Sequence, residues 1–141
     1  YEISLGLVGS EMCIRDSHIP IMQEFICVFI GGGLGSLCRF VIGSHLLKSA
    51  SHTFPWCTLA TNAIGCLLIG LLIGYFERRG AGLLPLLLVT GFCGGFTTFS
   101  TFSNETVQLL RQGCYGLSLT YVGISLISGI ALTATGYLLA K

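Results

Sequence analysis

The sequence predicts an all-α integral membrane protein with four transmembrane helices, the third of them broken. Three observations carry this reading. The 141-residue chain is 52% hydrophobic and only 9% charged, against about 25% charged residues in a soluble domain. Its apolar residues fall into four runs, each longer than the roughly 20 residues that cross a ~30 Å hydrocarbon core. The third run carries glycines and hydroxyls at its middle, which an inert membrane helix does not need. The mean hydropathy of +0.84 agrees. A formal net charge of +1 gives no electrostatic ground for a nucleic-acid partner.

Residues 1–17, YEISLGLVGSEMCIRDS, differ from the rest: they carry Glu2, Glu11, Arg15 and Asp16 and no sustained apolar run. The basic start and longer apolar core of a signal peptide are missing. Residues 1–21 are read as a non-native or disordered extension with a natural start at Met22, and 22–141 as one membrane domain. The first apolar run spans about Phe25 to Leu47 and is interrupted by Arg39. The second, Phe54 to Phe76, has no charge, and Pro55 suits a first helical turn. The third, about Leu83 to Leu110, carries the break, expected at Gly94-Gly95. The fourth, Tyr115 to Ala140, is again uncharged. The connections Lys48–Thr53, Glu77–Gly82 and Arg111–Cys114 are short, and four spans put both termini on one side.

Orientation follows from positive charge, which normally stays cytoplasmic. One side carries Arg78, Arg79 and Lys141, the other Lys48 and Arg111. So even a balance permits insertion both ways and antiparallel pairing. A single orientation set by Arg78 and Arg79, or by Arg39, is the alternative.

Most small motifs are structural. Gly31-Gly32-Gly33-Leu34-Gly35-Ser36 is no nucleotide loop, because Cys38 replaces the last glycine of GxGxxG and no strand precedes it. Gly31/Gly35, Gly70/Gly74 and Gly91/Gly95 form GxxxG pairs, which let helix backbones approach in lipid. The seven cysteines include no CxxC and read as small apolar residues. His18, His45 and His52 show no metal spacing, and no catalytic triad order is available, so an enzyme reading is poor. Arg39 inside a span either faces a partner or water or snorkels to the interface.

The polar residues within the spans are the functional candidates. Thr58 and Asn62, four apart, share one helix face, and an amide can donate two hydrogen bonds to an anion. Phe96, Phe99 and Phe102 form a stripe among Thr97, Thr98, Ser100 and Thr101. Aromatic ring edges carry partial positive charge, so Phe edges beside hydroxyls suit an anion path without fixed cations. A helix break at membrane depth also frees carbonyls for a small cation. Tyr121, Ser125 and Ser128 make a polar line on the fourth helix.

These motifs together resemble the CrcB/Fluc fluoride channel family. The match runs through Gly31-Gly-Gly-Leu-Gly-Ser-Leu-Cys-Arg39-Phe40, Thr58-Leu-Ala-Thr-Asn62-Ala-Ile-Gly65 and Gly91-Phe-Cys-Gly-Gly-Phe-Thr-Thr-Phe-Ser-Thr-Phe102. The resemblance implies a passive fluoride channel in the cell inner membrane. It implies an antiparallel dual-topology homodimer with two pores and a central structural sodium ion. By position, Asn62 is similar to the pore asparagine, and Phe99 and Phe102 to the phenylalanines that meet fluoride edge-on. Gly94 and Thr97 match the residues whose carbonyls hold sodium. Ser100, Thr101, Tyr121 and Ser125 fall at polar pore positions, Glu105 near a pore mouth. Cys57 departs from the family's usual glycine, and Gly129 stands where some members carry a further serine. Two other readings stay open: a proton-coupled small-cation exporter, which wants a carboxylate deep in a span, and a GxxxG scaffold subunit, which leaves the hydroxyl-Phe run unexplained.

Overall fold

The computed structural model describes residues 20–46, 54–79 and 82–141. All of their regular structure is helical: α1 (Ile21–Val41), α2 (Trp56–Arg79), α3 (Leu83–Pro85), α4 (Gly94–Phe96), α5 (Phe99–Arg111) and α6 (Tyr115–Ala140). A π-helical turn, Ile42–Leu46, extends α1, and a π-helical stretch, Leu86–Cys93, joins α3 to α4. Four stretches are long and apolar enough to cross a membrane: Ile21–Ser44, Trp56–Arg79, Leu83–Arg111 and Tyr115–Ala140. The expected extension lies outside the described residues as far as residue 19, as does the 48–53 connection.

Two helix ends differ from the sequence reading. Helix α1 starts at Ile21 rather than Phe25, with the Gln23 N–H donating to the Pro20 carbonyl at 2.8 Å. Glu24 in its first turn suits the positive end of the helix dipole. Helix α2 runs past Phe76 to Arg79. Arg78 and Arg79 suit its negative end, and the Arg79 guanidinium sits 4.6 Å above the Tyr75 ring. Between α5 and α6 the chain turns on Gly113 at φ 77°. The Cys114 N–H reaches the Leu109 carbonyl and the Gly113 N–H the Leu110 carbonyl, each at 3.0 Å. That left-handed glycine cap closes α5.

Lipid is as apolar as leucine, so close backbone approach rather than hydrophobic collapse holds the helices. All three GxxxG pairs lie at such contacts. A methyl group at Gly31 would collide with the Leu87 carbonyl, and one at Gly35 with the Phe92 carbonyl. At Gly95 it would meet the Gly32 carbonyl, at Gly70 the Thr133 carbonyl and at Gly136 the Leu67 carbonyl. So α1 zips against the third span and α2 against α6. The Thr133 hydroxyl adds a bond to the Cys66 carbonyl at 3.1 Å. The buried core is small, with Cys93, Phe96, Leu109 and Tyr121 its apolar members. Large apolar residues such as Phe25, Phe29 and Ile127 face outward, as a bilayer permits.

The interruption of the third span is not at Gly94-Gly95. Both glycines are helical, and the extended residues are Thr97 (φ −84°, ψ 156°) and Thr98 (φ −149°, ψ 114°). Gly95 is small so that the Gly32 backbone can close on it. Hydroxyls, rather than glycine freedom, end the helix. The Cys93 carbonyl accepts from both the Thr97 N–H at 3.0 Å and the Thr97 hydroxyl at 2.9 Å.

Candidate pore-lining site

Thr98 is the centre of the polar groups in the third span. Its N–H donates to Asn62 Oδ1 at 2.8 Å, and its carbonyl accepts from Asn62 Nδ2 at 3.2 Å. The α2 side chain thus pairs with an extended residue as a neighbouring strand would. One of the two amide hydrogens available to an anion is therefore engaged with backbone, leaving one Nδ2 hydrogen for anything else. The Thr98 hydroxyl lies 3.2 Å from the Ser100 hydroxyl and 3.1 Å from that of Thr101, and accepts the Thr101 N–H at 3.3 Å. It is the N-cap of α5, a position threonine favours.

Glu105, which the resemblance puts near a pore mouth, is half-buried and lines a cavity between helices. Thr58 Oγ1 donates to its Oε1 at 2.7 Å and the Tyr121 hydroxyl to its Oε2 at 2.8 Å. Hydrogen bonds to a carboxylate are stronger than neutral ones, so this pair fixes Glu105 between α2 and α6. Tyr121 is fully buried at 0% exposure and Thr58 at 4%. One turn of α5 beyond Thr101, the half-buried Glu105 turns toward α2 and α6.

Arg39 does face a partner. Its Nε donates to the Gly95 carbonyl at 3.4 Å, as does the Ser36 hydroxyl at 3.3 Å. The Gly94 and Thr97 carbonyls differ: no hydrogen bond from the described residues reaches either. Gly94 is exposed and Thr97 half-buried in the single chain. Two unbonded backbone oxygens three residues apart suit a small hard cation that takes oxygen ligands, so the residues present fit such an ion.

Phe99 and Phe102 are neighbours, with centroids 5.7 Å apart at 40°. Phe102 continues to the Tyr121 ring at 5.2 Å, while Phe99 is 78% exposed. Among the described residues no partner reaches the buried Ser125 hydroxyl, an orphan that calls for a water or ion. Ser128 bonds back to the Ser125 carbonyl at 3.3 Å, and Gly129 faces the Cys66 sulfur.

Arg39, Cys57, Thr58, Thr98, Thr101 and Glu105 meet around a cavity of about 390 Å³. Asn62, Phe99, Ser100, Phe102, Tyr121 and Ser125 are not among its lining residues. Sequence reasoning missed the role of Thr98, although a threonine two residues after a phenylalanine and opening the polar stretch Phe99–Arg111 is an N-cap signal. It also missed Ser36, one turn before Arg39, for which the sequence gives no signal beyond that spacing.

Residues 26–137 match the family described as CrcB-like protein, Camphor Resistance (CrcB). A protein of Flavobacterium psychrophilum named fluoride-specific ion channel FluC is 43% identical over 122 residues, 85% of this chain and 98% of that protein. A protein of the same name from Bacteroides fragilis is 47% identical over 83% of this chain and 96% of its own length. One from Agrobacterium fabrum is 44% identical over 85% and 98%. With four spans in order, polar groups gathered on the third and matches that extend over almost the full length of these relatives, the chain belongs to the CrcB-like family of fluoride ion channels.

Proposed function

We propose that this protein is a passive fluoride-selective channel that lets cytoplasmic fluoride leave the cell and so reduces its toxicity. The observation that carries the reading is the near-complete coverage of relatives named fluoride-specific ion channel. The site is chemically suited to it. Fluoride is small and strongly hydrated, so a path must replace water with close donors. Ser100, Thr101, Tyr121 and Ser125 bring hydroxyls, Asn62 one remaining amide hydrogen, and Phe99 and Phe102 weakly positive ring edges. Conduction needs many weak sites rather than one strong one, and a path without a fixed cation meets that need. Arg39 stands at the cavity with its Nε on a carbonyl, positioned to gather anions rather than to hold them in the rail. Because hydrogen fluoride crosses lipid neutral and ionises in a near-neutral cytoplasm, a passive anion pore in the inner membrane is sufficient for export.

The working unit in this reading is an antiparallel dual-topology homodimer with two pores. The exposure of Phe99 and Gly94 in one chain supports it, since a second copy would cover both. The carbonyls of Gly94 and Thr97 from the two copies would hold a structural sodium ion. When bound, that ion supplies positive charge that ties the two interrupted spans together.

The test is fluoride release from liposomes, followed with a fluoride electrode. Phe99→Ile and Phe102→Ile should each abolish efflux while the dimer persists on gel filtration. Unchanged efflux in both would end the aromatic-rail reading. The inward Glu105 supports a second reading, proton-coupled export of a small cation. Chloride and proton gradients as controls separate the two: a channel needs no proton gradient, an exporter does.

A further inference from the structure

The cation reading requires the Gly94 and Thr97 carbonyls to be free, and the structure shows what keeps them so. In a continuous α-helix each carbonyl accepts from the N–H four residues later. The N–H that would close Gly94 belongs to Thr98, and the one that would close Thr97 belongs to Thr101. Both are taken by side chains: Thr98 N–H by Asn62 Oδ1 at 2.8 Å and Thr101 N–H by Thr98 Oγ1 at 3.3 Å. The Gly95 carbonyl between them is treated differently, since Ser36 and Arg39 from α1 both donate to it. Among the described residues the Gly94, Phe96 and Thr97 carbonyls are bare, and only the Gly95 carbonyl among them is satisfied.

We propose that Asn62 and Thr98 are positioning residues for a cation site: by diverting the two amides they leave the Gly94 and Thr97 carbonyls to an ion. This rests on the cation part of the channel reading and adds how the site is built. Asn62 has a second hold, its Nδ2 donating to the Thr98 carbonyl at 3.2 Å, so it fixes Thr98 extended in both directions. An oxygen from α2 and a hydroxyl from the third span itself thus do what the two threonines' backbone geometry alone would not maintain. Without them the chain from Cys93 to Thr101 can close into one helix. The amides would then return to the Gly94 and Thr97 carbonyls, and no lone pairs would point at an ion. Anion-path chemistry does not enter this argument. The positioning role accounts for why an asparagine with two backbone bonds stands opposite the interruption, where a single donor for an anion could come as well from a glutamine amide or a serine hydroxyl.

The experiment is the thermal unfolding of the purified full chain in detergent, without fluoride, as sodium replaces N-methylglucamine. The unsubstituted protein and Thr98→Ser, which keeps the accepting hydroxyl, should be stabilised by sodium with the same midpoint concentration. Thr98→Val and Asn62→Leu should need at least tenfold more sodium or lose the response. Equal midpoints in Thr98→Val and the unsubstituted chain would overturn the proposal. Should Asn62→Leu fail to fold, the Ser/Val pair at Thr98 still decides. Absence of a sodium response in the unsubstituted chain, with fluoride efflux intact, removes this proposal and leaves the channel reading standing. A sodium response without fluoride efflux does the reverse.

Discussion

Glu105 joins three elements through two short hydrogen bonds, and each of its oxygens depends on one hydroxyl. Removing one donor leaves a carboxylate oxygen to find a partner in a half-buried place, which costs about 1–3 kcal/mol. Tyr121→Phe should therefore lower the unfolding midpoint in a denaturing-detergent titration by that amount and slow fluoride efflux. Thr58→Val should do the same less strongly, because the cavity beside Thr58 admits water to Oε1. Equal stability of Tyr121→Phe and the unsubstituted chain would show that the Tyr121 hydroxyl is not what holds Glu105. At this scale the sequence singled out Asn62, Thr58, Tyr121 and Glu105, and all four carry polar contacts across helices. Their partners were not legible, because a periodic pattern tells which face a side chain occupies and says nothing of what stands opposite.

At the scale of elements, the glycine spacing was legible and the helix break was not. GxxxG gives its meaning locally, since a missing Cβ at i and i+4 always opens the same groove. Gly35→Ala should destabilise the fold by about 1–3 kcal/mol, the cost of overpacking, because its methyl meets the backbone of Phe92 and Phe96. Gly116→Ala, where nothing stands within 4 Å, serves as the control and should be neutral. A Gly35→Ala chain as stable as Gly116→Ala would mean that α1 and the third span separate readily. The break fell three residues past the glycines, where Asn62 and the Thr98 hydroxyl offer alternatives to helical bonding. Membrane interiors leave no water to satisfy an open backbone group, so the interruption sits where α2 supplies the partners.

For the whole molecule, orientation and partner are the properties one chain does not display. Near-even positive charge on the two sides leaves insertion both ways open. A Gly82→Cys substitution in a cysteine-free background should react with an impermeant maleimide from both sides of the membrane. Labelling from one side only would rule out dual topology. The four spans, their order, the glycine seams and the polar residues among them were determined by the sequence alone, because hydropathy and helical period act within a few residues along the chain. The place of the break, the partners of Glu105 and the diversion of the Thr98 and Thr101 amides were decided only by tertiary structure. Each depends on a donor or acceptor brought from another helix, and in a medium without water that distant partner, not the local residue, sets which backbone bonds are made.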